Sequence, residues 1–336
     1  MMITDQPEHI HLKNFTINEV IDLPQQGSWQ PSRHLLEKES AYALEMALAT
    51  GRPLLVRGEP GVGKSQLARA AAVKLERLFI SHVVNISSEG QDLLWHYDPV
   101  ARLNDAQALR HSIEDEKRAA QRLHPQHYLN PGVLWWAFDW ASAKTQYDEH
   151  CKHKLYCPKT SGDHGPEQGV VLLLDEIDKA DPSLPNTLLE ALGNGGFEVP
   201  LLNQTVTQKA GSPPPLVIIT TNEERELPPA FLRRCLVLNL AVDEDDLESW
   251  LMRRGEVHFP ERFSLEVKRQ AAECLKSDRE AAKNRGTVKP GQAEYLDLLQ
   301  ALHELTENEP KQVQQARQLE WLNEIKGFAF SKAPRE

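Results

Sequence analysis

Eight consecutive residues in the N-terminal half of the chain combine the residue types that hold a phosphate chain. They are Gly58, Glu59, Pro60, Gly61, Val62, Gly63, Lys64 and Ser65, and they fit the pattern G-x-x-x-x-G-K-[ST]. Glycines let backbone N–H groups turn towards a phosphate, and a helix N-terminus adds positive potential. Lys64 would reach the β- and γ-phosphates, and the Ser65 hydroxyl would bind Mg²⁺. We include Gln66 and predict a nucleoside triphosphate site; the alternative is a turn that only caps a helix.

Two acidic residues further along the chain supply what such a site needs. Asp175 and Glu176 directly follow the apolar run 170–174, which is typical of a buried strand. Ligands of open parallel sheets bind at the C-terminal ends of the strands. Asp175 would therefore hold the Mg²⁺ shell, and Glu176 would polarise the attacking water as a general base. We leave Asp178 outside the site, because its role could be merely to cap the next helix or to contact a neighbouring subunit.

Three more residues could complete the catalytic set. Asn222 ends the apolar run 216–221 and could position the attacking water, although an Asn after a strand is usually a turn residue. Arg233 and Arg234 precede another apolar run, 236–240. They are either surface charges or an arginine finger that reaches a neighbour's nucleotide, a contact that contributes about 10³ to 10⁵ in turnover.

The elements that must position these residues follow from the hydrophobic pattern. Short apolar runs alternate with helical stretches, which predicts an α/β fold with a parallel sheet between two layers of helices. The predicted strands are 53–56, 80–86, 170–174, 216–221 and 236–240. The predicted helices are 34–50 with Gly51 as its C-cap, 64–75, 183–192, 243–254, 265–275, 292–305 and 312–326. Since no strong strand follows residue 242, we place a domain boundary there and expect residues 1–33 to be an irregular leader that packs on the core.

The composition limits the class of protein. The 336 residues include 38 Lys and Arg against 49 Asp and Glu, a formal net charge of −11, which argues against a generic nucleic-acid-coating protein. The uncharged stretch 123–138 is interrupted by Pro and Gly, so we expect no membrane insertion. The N-terminus shows no secretory signal, and four scattered Cys do not form a disulfide framework. We therefore expect a cytoplasmic globular protein.

The order of the motifs resembles the AAA+ ATPases and, within them, the MoxR-like branch, close to the dynein-related AAA-5 type. The family resemblance is carried by 58–65, 170–178, 220–222 and 227–234. The branch resemblance is carried by Arg-Pro-Leu-Leu-Val-Arg-Gly-Glu-Pro-Gly at 52–61 and Asn-Pro-Gly-Val-Leu-Trp-Trp-Ala at 130–137. It implies a P-loop nucleotide-binding domain over 34–241, a helix-2-type insertion at about 128–145, a variable loop at about 146–168, and an all-helical lid over 242–336.

The same resemblance implies the roles of several residues and the partners. Asn222 would be sensor 1, and Arg233 or Arg234 would be the finger. The cofactors would be ATP and Mg²⁺. The chain would assemble with itself as a ring, commonly a hexamer, with ATP at each subunit interface. Members of this branch remodel protein partners and often act with a protein that carries a von Willebrand A domain.

The lid departs from the family pattern. AAA+ lids usually present a sensor 2 arginine near the start of a lid helix, and the comparable segment 289–296 contains none. Lys289 or Arg285 could substitute for it, or the lid could make no direct contact with the γ-phosphate.

Two clusters of residues leave alternatives open. Soft metal ligands at His150, Cys151, His153, Cys157 and His164 suggest zinc, but their spacing fits no structural zinc pattern, and an exposed loop is the simpler interpretation. The aromatic residues Trp135, Trp136, Phe138 and Trp140 could pack in the core, or part of the cluster could face the ring pore and grip a partner chain.

Three functions follow from these observations. The first is an ATP-hydrolysing ring that remodels or activates protein partners. The second is a nucleic-acid-directed AAA+ motor, against which the acidic balance counts. The third is an ATP-gated scaffold with slow hydrolysis, which the absent sensor 2 arginine favours and the intact Glu176 opposes.

Overall fold

The computed structural model describes residues 12–109, 116–159, 165–181, 183–209 and 211–330. The strands are β1 (Glu19–Leu23), β2 (Ser32–Leu36), β3 (Leu54–Arg57), β4 (Leu78–Val83), β5 (Trp95–Tyr97), β6 (Leu129–Pro131), β7 (Val170–Asp175), β8 (Gly196–Val199), β9 (Gln204–Thr207), β10 (Leu216–Thr221) and β11 (Leu236–Asn239). The α-helices are α1 (Lys38–Thr50), α2 (Lys64–Lys74), α3 (Gly90–Leu94), α4 (Pro99–Leu109), α5 (Glu116–Arg122), α6 (Val133–Phe138), α7 (Trp140–Thr145), α8 (Ser183–Asn194), α9 (Pro229–Leu232), α10 (Leu247–His258), α11 (Leu265–Arg285), α12 (Gln292–Thr306) and α13 (Lys311–Phe330). Short 3₁₀ turns occupy Pro125–Tyr128, Pro166–Gln168, Ile177–Lys179 and Pro200–Leu202, and a π-turn occupies Gln146–His150.

A five-stranded parallel sheet forms the centre of the molecule, in the order β11-β3-β10-β7-β4. Successive side chains of the inner strand β3 enter opposite cores, as the alternation of a strand requires. Leu55 packs in the cluster that contains Trp136, whereas Leu54 and Val56 pack in the cluster that contains Leu67 of α2. The sheet is therefore buried on both faces, and the predicted α/β fold is confirmed.

The strand order gathers the polar ends of three strands that are far apart in the chain. β10 lies between β3 and β7, so the chain leaves these strands side by side at Arg57, Thr221 and Asp175. The glycine-rich loop follows the first of these positions, Asn222 the second and Glu176 the third. The motifs that carry the lysine, the amide and the two acids consequently meet at one edge of the sheet.

The segment before α1 is more regular than predicted. β1 and β2 pair as an antiparallel hairpin, with Val20 opposite Leu35, and the hairpin packs against α2. Residues 34–36 are therefore extended, and α1 begins at Lys38. The backbone partners of 34–36 lie in β1, which the local helical spacing could not show. The predicted C-cap is present, because Gly51 is left-handed with φ 66°.

The aromatic cluster of the predicted insertion belongs to the core. Trp135 and Trp136 have no exposed surface, and Trp135 Nε1 donates a hydrogen bond to Ser142 Oγ at 3.0 Å. Trp136 also packs edge-on against the half-buried Trp140, with ring centroids 4.9 Å apart. The hypothesis that this cluster grips a partner chain is therefore wrong for Trp135 and Trp136, since both are enclosed by the sheet and its helices.

Helices α10 to α13 enclose a separate apolar core, which includes Leu251, Leu275, Leu299 and Leu322. The first of them begins at Leu247, later than predicted, because the acidic run 243–246 precedes the helix. No helix in the described part of the chain is both long and apolar enough to cross a membrane.

Candidate functional site

The glycine-rich loop turns between β3 and α2 with a backbone that needs glycine. Gly61 and Gly63 have φ of 79° and 95°, in the left-handed region that glycine adopts without strain. Gly63 is also the N-cap residue of α2. A Cβ at Gly61 would lie 2.9 Å from the Cβ of Ala293 at the start of α12. The glycine-rich loop and the first turn of α12 are therefore in direct contact.

Lys64 lies where the loop and the strand ends converge. Its Nζ donates hydrogen bonds to the carbonyls of Gly58 (2.7 Å) and Glu59 (3.0 Å) and to Asn222 Oδ1 (2.8 Å). Burial lowers the pKa of the Lys64 ammonium, and the carboxylates of Asp175 and other nearby acids oppose that shift. The structure thus joins the glycine-rich loop to the predicted sensor residue through one buried lysine.

Ser65 and Asp175, the two predicted metal ligands, lie next to each other. The Ser65 hydroxyl lies 3.0 Å from each carboxylate oxygen of Asp175. Thr220 Oγ1 donates to Asp175 Oδ1 and accepts the Glu176 N–H at 3.0 Å. A hydroxyl and a carboxylate are hard oxygen donors, which Mg²⁺ takes together with phosphate oxygens and water, so these residues fit that ion. Thr220 was missed from the sequence, where it is one of two threonines at the end of an otherwise apolar run.

Glu176 has a strained backbone and a fully engaged carboxylate. Its φ of 62° is left-handed, a conformation that a non-glycine residue adopts at some cost and that is common at functional sites. Oε2 accepts from Lys179 Nζ at 2.7 Å, and Oε1 accepts from Asn222 Nδ2 at 3.3 Å. Asn222 therefore bridges the two predicted catalytic residues, Lys64 and Glu176.

A cavity of about 480 Å³ lies between the glycine-rich loop, the β1–β2 hairpin and helices α10 and α12. Its lining consists of Trp29, Ser32, Arg33, His34, Leu35, Pro60, Gly61, Val62, Gly63, Lys64, Ser65, Gln66, Asp175, Glu176, Asn222, Arg254, His258, Gln292, Ala293, Leu296 and Asp297. Most of the predicted binding and catalytic residues line it, whereas its other wall comes from segments that carry no recognisable motif.

The cationic side chain that the helical domain brings to this cavity is Arg254, and not Lys289 or Arg285, the two candidates for the sensor 2 position. Arg254 of α10 is nearly buried; its Nη2 pairs with Glu37 at 2.8 Å and its Nε donates to Gln292 Oε1 at 3.4 Å. Lys289 instead lies near Glu244 outside the cavity, and Arg285 is exposed. Nothing in the sequence around Arg254 distinguishes it from other helical arginines.

A second arginine ties the helical domain to the glycine-rich loop. Arg279 of α11 is almost completely buried and pairs with Glu59 at 2.9 Å and with Glu244 at 2.6 Å. Its Nη1 also donates to the Pro290 carbonyl at 2.7 Å. We define these four residues as the Arg279 junction. It joins the glycine-rich loop to three parts of the helical domain.

The predicted finger residues lie away from this cavity. Arg233 and Arg234 are exposed and directly precede β11, which pairs in parallel with β3. The glycine-rich loop leaves the opposite end of β3, and four strand residues span about 13 Å. Neither arginine lines the cavity of its own chain. The structure does not bring these two residues together with the rest of the predicted site.

Two cavity histidines make stability depend on pH. Burial, together with Arg254 and His258, lowers the pKa of His34 to about 3; burial, together with Arg254 and Arg33, lowers that of His258 to about 4. The unfolded chain binds these protons near pH 6.5, so stability is complete above that pH and is lost as the pH falls towards 3. As the pH falls through this window, each histidine lowers the free energy of unfolding by up to about 1.4 kcal/mol per pH unit.

We therefore expect His34→Gln to lose less thermal stability than the unmodified chain between pH 7 and pH 5.5. Thermal unfolding at several pH values measures this difference. Equal slopes for the two proteins would contradict the assignment. A His303→Gln variant, altered at a partly exposed histidine of α12, should keep the original slope.

The His and Cys cluster does not assemble. In the described ranges, no three His, Cys, Asp or Glu side chains come together as metal ligands. Cys151 is buried with its Sγ near the His153 carbonyl, and His164 lies outside the described residues. The geometry of the described residues therefore lends the zinc hypothesis no support.

Comparison with known proteins gives one family and several distant structures. The sequence model of the AAA domain, dynein-related subfamily, matches residues 53–235, more than half of the chain. A RuvB variant from Thermotoga maritima is 15% identical, with 86% of this chain and 67% of that chain covered and a TM-score of 0.40. A proposed ATPase from Cytophaga hutchinsonii is 14% identical, with 77% and 71% covered and a TM-score of 0.35. No curated protein matches.

Proposed function

Because the chain belongs to the dynein-related subfamily of the AAA ATPases, we propose that it is a Mg²⁺-dependent ATPase of the MoxR type. It acts as a homo-oligomeric ring, a hexamer, that remodels or activates protein partners. The observation that carries this proposal is the linked set Lys64–Asn222–Glu176, which lies in one cavity beside Ser65 and Asp175. Phosphate binding, metal binding and water activation each have a residue there.

The glycine-rich loop binds the triphosphate of ATP. The backbone N–H groups of the loop 58–63, other than at Pro60, surround the phosphates, Gln66 contacts the nucleotide from α2, and Lys64 neutralises the β- and γ-phosphates. To do so Lys64 exchanges its contacts with the Gly58 and Glu59 carbonyls for phosphate oxygens. Ser65 and Asp175 would hold Mg²⁺, which supplies further charge neutralisation when bound.

Glu176 and Asn222 prepare the attacking water. The Glu176 carboxylate accepts a proton from the water as it attacks the γ-phosphate, and the Asn222 amide orients that water. Asn222 hydrogen bonds to both Lys64 and Glu176, so the arrival of a phosphate at Lys64 is transmitted directly to the general base. Lys179 pairs with the other carboxylate oxygen of Glu176 at 2.7 Å and so holds the side chain in place.

The position of Arg233 and Arg234 supports an assembly with shared sites. Both precede β11, at the sheet edge opposite to the one that carries the chain's own glycine-rich loop. An arginine finger there serves the ATP of a neighbouring subunit, and head-to-tail contacts of this type close into rings. The acidic net charge of −11 favours a protein client over nucleic acid. A protein with a von Willebrand A domain is the partner class we propose.

The ATPase rate per subunit as a function of protein concentration tests this proposal. We expect the rate to rise with concentration and to reach a plateau when sizing of the same samples shows the oligomer, because the finger acts between subunits. EDTA should abolish the rate. A constant rate from a protein that remains monomeric would refute the ring, and no turnover at any concentration would favour the slow scaffold.

A further inference from the structure

Arg52 holds the backbone that carries the two candidate finger residues. Its Nη2 donates to the carbonyls of Arg233 (2.5 Å) and Cys235 (3.0 Å), and its Nε donates to the carbonyl of Arg234 (3.1 Å). One guanidinium therefore binds three consecutive carbonyls. The side chains of Arg233 and Arg234 remain exposed, so the contact fixes the backbone and leaves both side chains available.

The segment requires such an external partner. Helix α9 has only four residues, too few to be stable alone, and the carbonyls that Arg52 binds follow its last residue, where the helix supplies no N–H partner. Two buried apolar side chains, Phe231 and Cys235, hold the segment on either side of the arginine pair. Arg52 adds a polar restraint on the carbonyls of 233–235, and a planar guanidinium with five N–H donors suits three neighbouring acceptors better than an ammonium group does.

Arg52 takes no part in the nucleotide site of its own chain. It lies two residues before β3, whereas the glycine-rich loop follows the other end of that strand, and it does not line the cavity. Its side-chain hydrogen bonds go to the segment that leads into β11, the strand next to β3. Any effect of Arg52 on hydrolysis therefore passes through Arg233 and Arg234.

We propose that Arg52 is a positioning residue for the arginine finger, which it sets for the ATP site of the neighbouring subunit. This inference rests on the proposed function, because it requires hydrolysis with shared sites. It also makes β3 a link between two sites, since one end of the strand carries the phosphate loop for the chain's own ATP and the other end carries the anchor of the finger.

The first test compares Arg52→Gln and Arg52→Lys with a matched control. Arg77 precedes β4 at the same sheet edge and donates to the Pro214 carbonyl at 3.0 Å, so Arg77→Gln removes a similar contact away from the finger. We expect Arg52→Gln to lower kcat about 10- to 100-fold, the cost of misplacing a catalytic group by about 1 Å. Arg52→Lys should lie between, and Arg77→Gln should stay within about twofold of the unmodified protein. Affinity for a fluorescent ATP analogue should not change.

The second test asks in which subunit the defect lies. Arg52→Gln subunits are co-expressed with Glu176→Gln subunits under two affinity tags, and doubly tagged assemblies are purified. Glu176→Gln subunits lack the general base but carry an intact Arg52 and finger, so they should restore turnover at adjacent Arg52→Gln sites. A misfolded or locally damaged Arg52→Gln subunit would show no recovery.

The outcomes separate the two proposals. If Glu176→Gln subunits restore Arg233→Ala or Arg234→Ala assemblies but not Arg52→Gln assemblies, Arg52 acts in its own subunit and the positioning role is refuted. Full activity of Arg52→Gln, with a loss in either finger variant, also refutes it and leaves the proposed function intact. If neither Arg233→Ala nor Arg234→Ala lowers turnover, the shared-site ATPase itself fails.

Discussion

Replacing Glu176 by glutamine is expected to lower ATP turnover by about 10² to 10⁴-fold while ATP binding persists, because an amide cannot accept the proton of the attacking water. Glutamine keeps the size of the side chain and can still contact Asn222, so the cavity should retain its shape. Steady-state phosphate release gives kcat, and titration with a fluorescent ATP analogue gives the dissociation constant. We expect kcat to fall and the dissociation constant to stay unchanged.

A carboxylate outside the cavity provides the control for that variant. Glu198 is exposed on β8 and does not line the cavity, so Glu198→Gln should hydrolyse ATP at the unmodified rate. Turnover of Glu176→Gln within tenfold of the unmodified protein would assign the general base to another residue. Loss of ATP affinity in Glu176→Gln would instead show that the carboxylate supports the structure of the cavity.

Removal of the arginine finger should have an effect of similar or larger size. We expect one of the variants Arg233→Ala and Arg234→Ala to lose about 10³ to 10⁵ in turnover, because a guanidinium no longer neutralises the charge that develops on the γ-phosphate. The other variant should change little, since both side chains are exposed and the same contact cannot be made twice. Comparison of kcat for the two single variants identifies the finger.

ATP binding, measured separately from turnover, shows whether the arginines belong to the site of their own subunit. Each variant should bind the fluorescent ATP analogue as the unmodified chain does in the absence of assembly, because the residues lie at the far end of β3 from the phosphate loop. Retention of full activity in both single variants would make the pair ordinary surface charges. Loss of ATP affinity in dilute, monomeric protein would place them in their own subunit's site.

The contiguous motifs could be predicted because their chemistry depends on neighbours in the chain. The glycine-rich loop needs only a strand before it and a helix after it, and Asp175 and Glu176 need only a strand that ends before them. Their meeting with Asn222 follows from a general property of parallel sheets, whose strand ends share one edge. The fold class and the centre of the candidate site were therefore accessible from sequence.

The remaining wall of the cavity could not be predicted, for a physical reason. His34 and Arg254 come from segments more than two hundred residues apart, and only tertiary packing brings them to the phosphate loop. The aromatic insertion was misjudged in part for the same reason: Trp135 is apolar whether it is buried or exposed, and its burial depends on which elements cover it. Thr220 lies in an apolar run, where a hydroxyl gives no sign that a carboxylate lies opposite.

If the helical domain turns against the sheet, we expect the Arg279 junction to be its pivot. Arg279 is near the C-terminal end of α11, and the opposite end, at the exposed Leu265, is fourteen residues away, or about 21 Å. A rotation of about 10° about the junction would swing that end by about 4 Å, although the atoms beside the phosphate loop would move much less. In such a rotation, α11 would act as a lever anchored at Glu59, with its short arm beside the glycine-rich loop and its long arm at the protein surface.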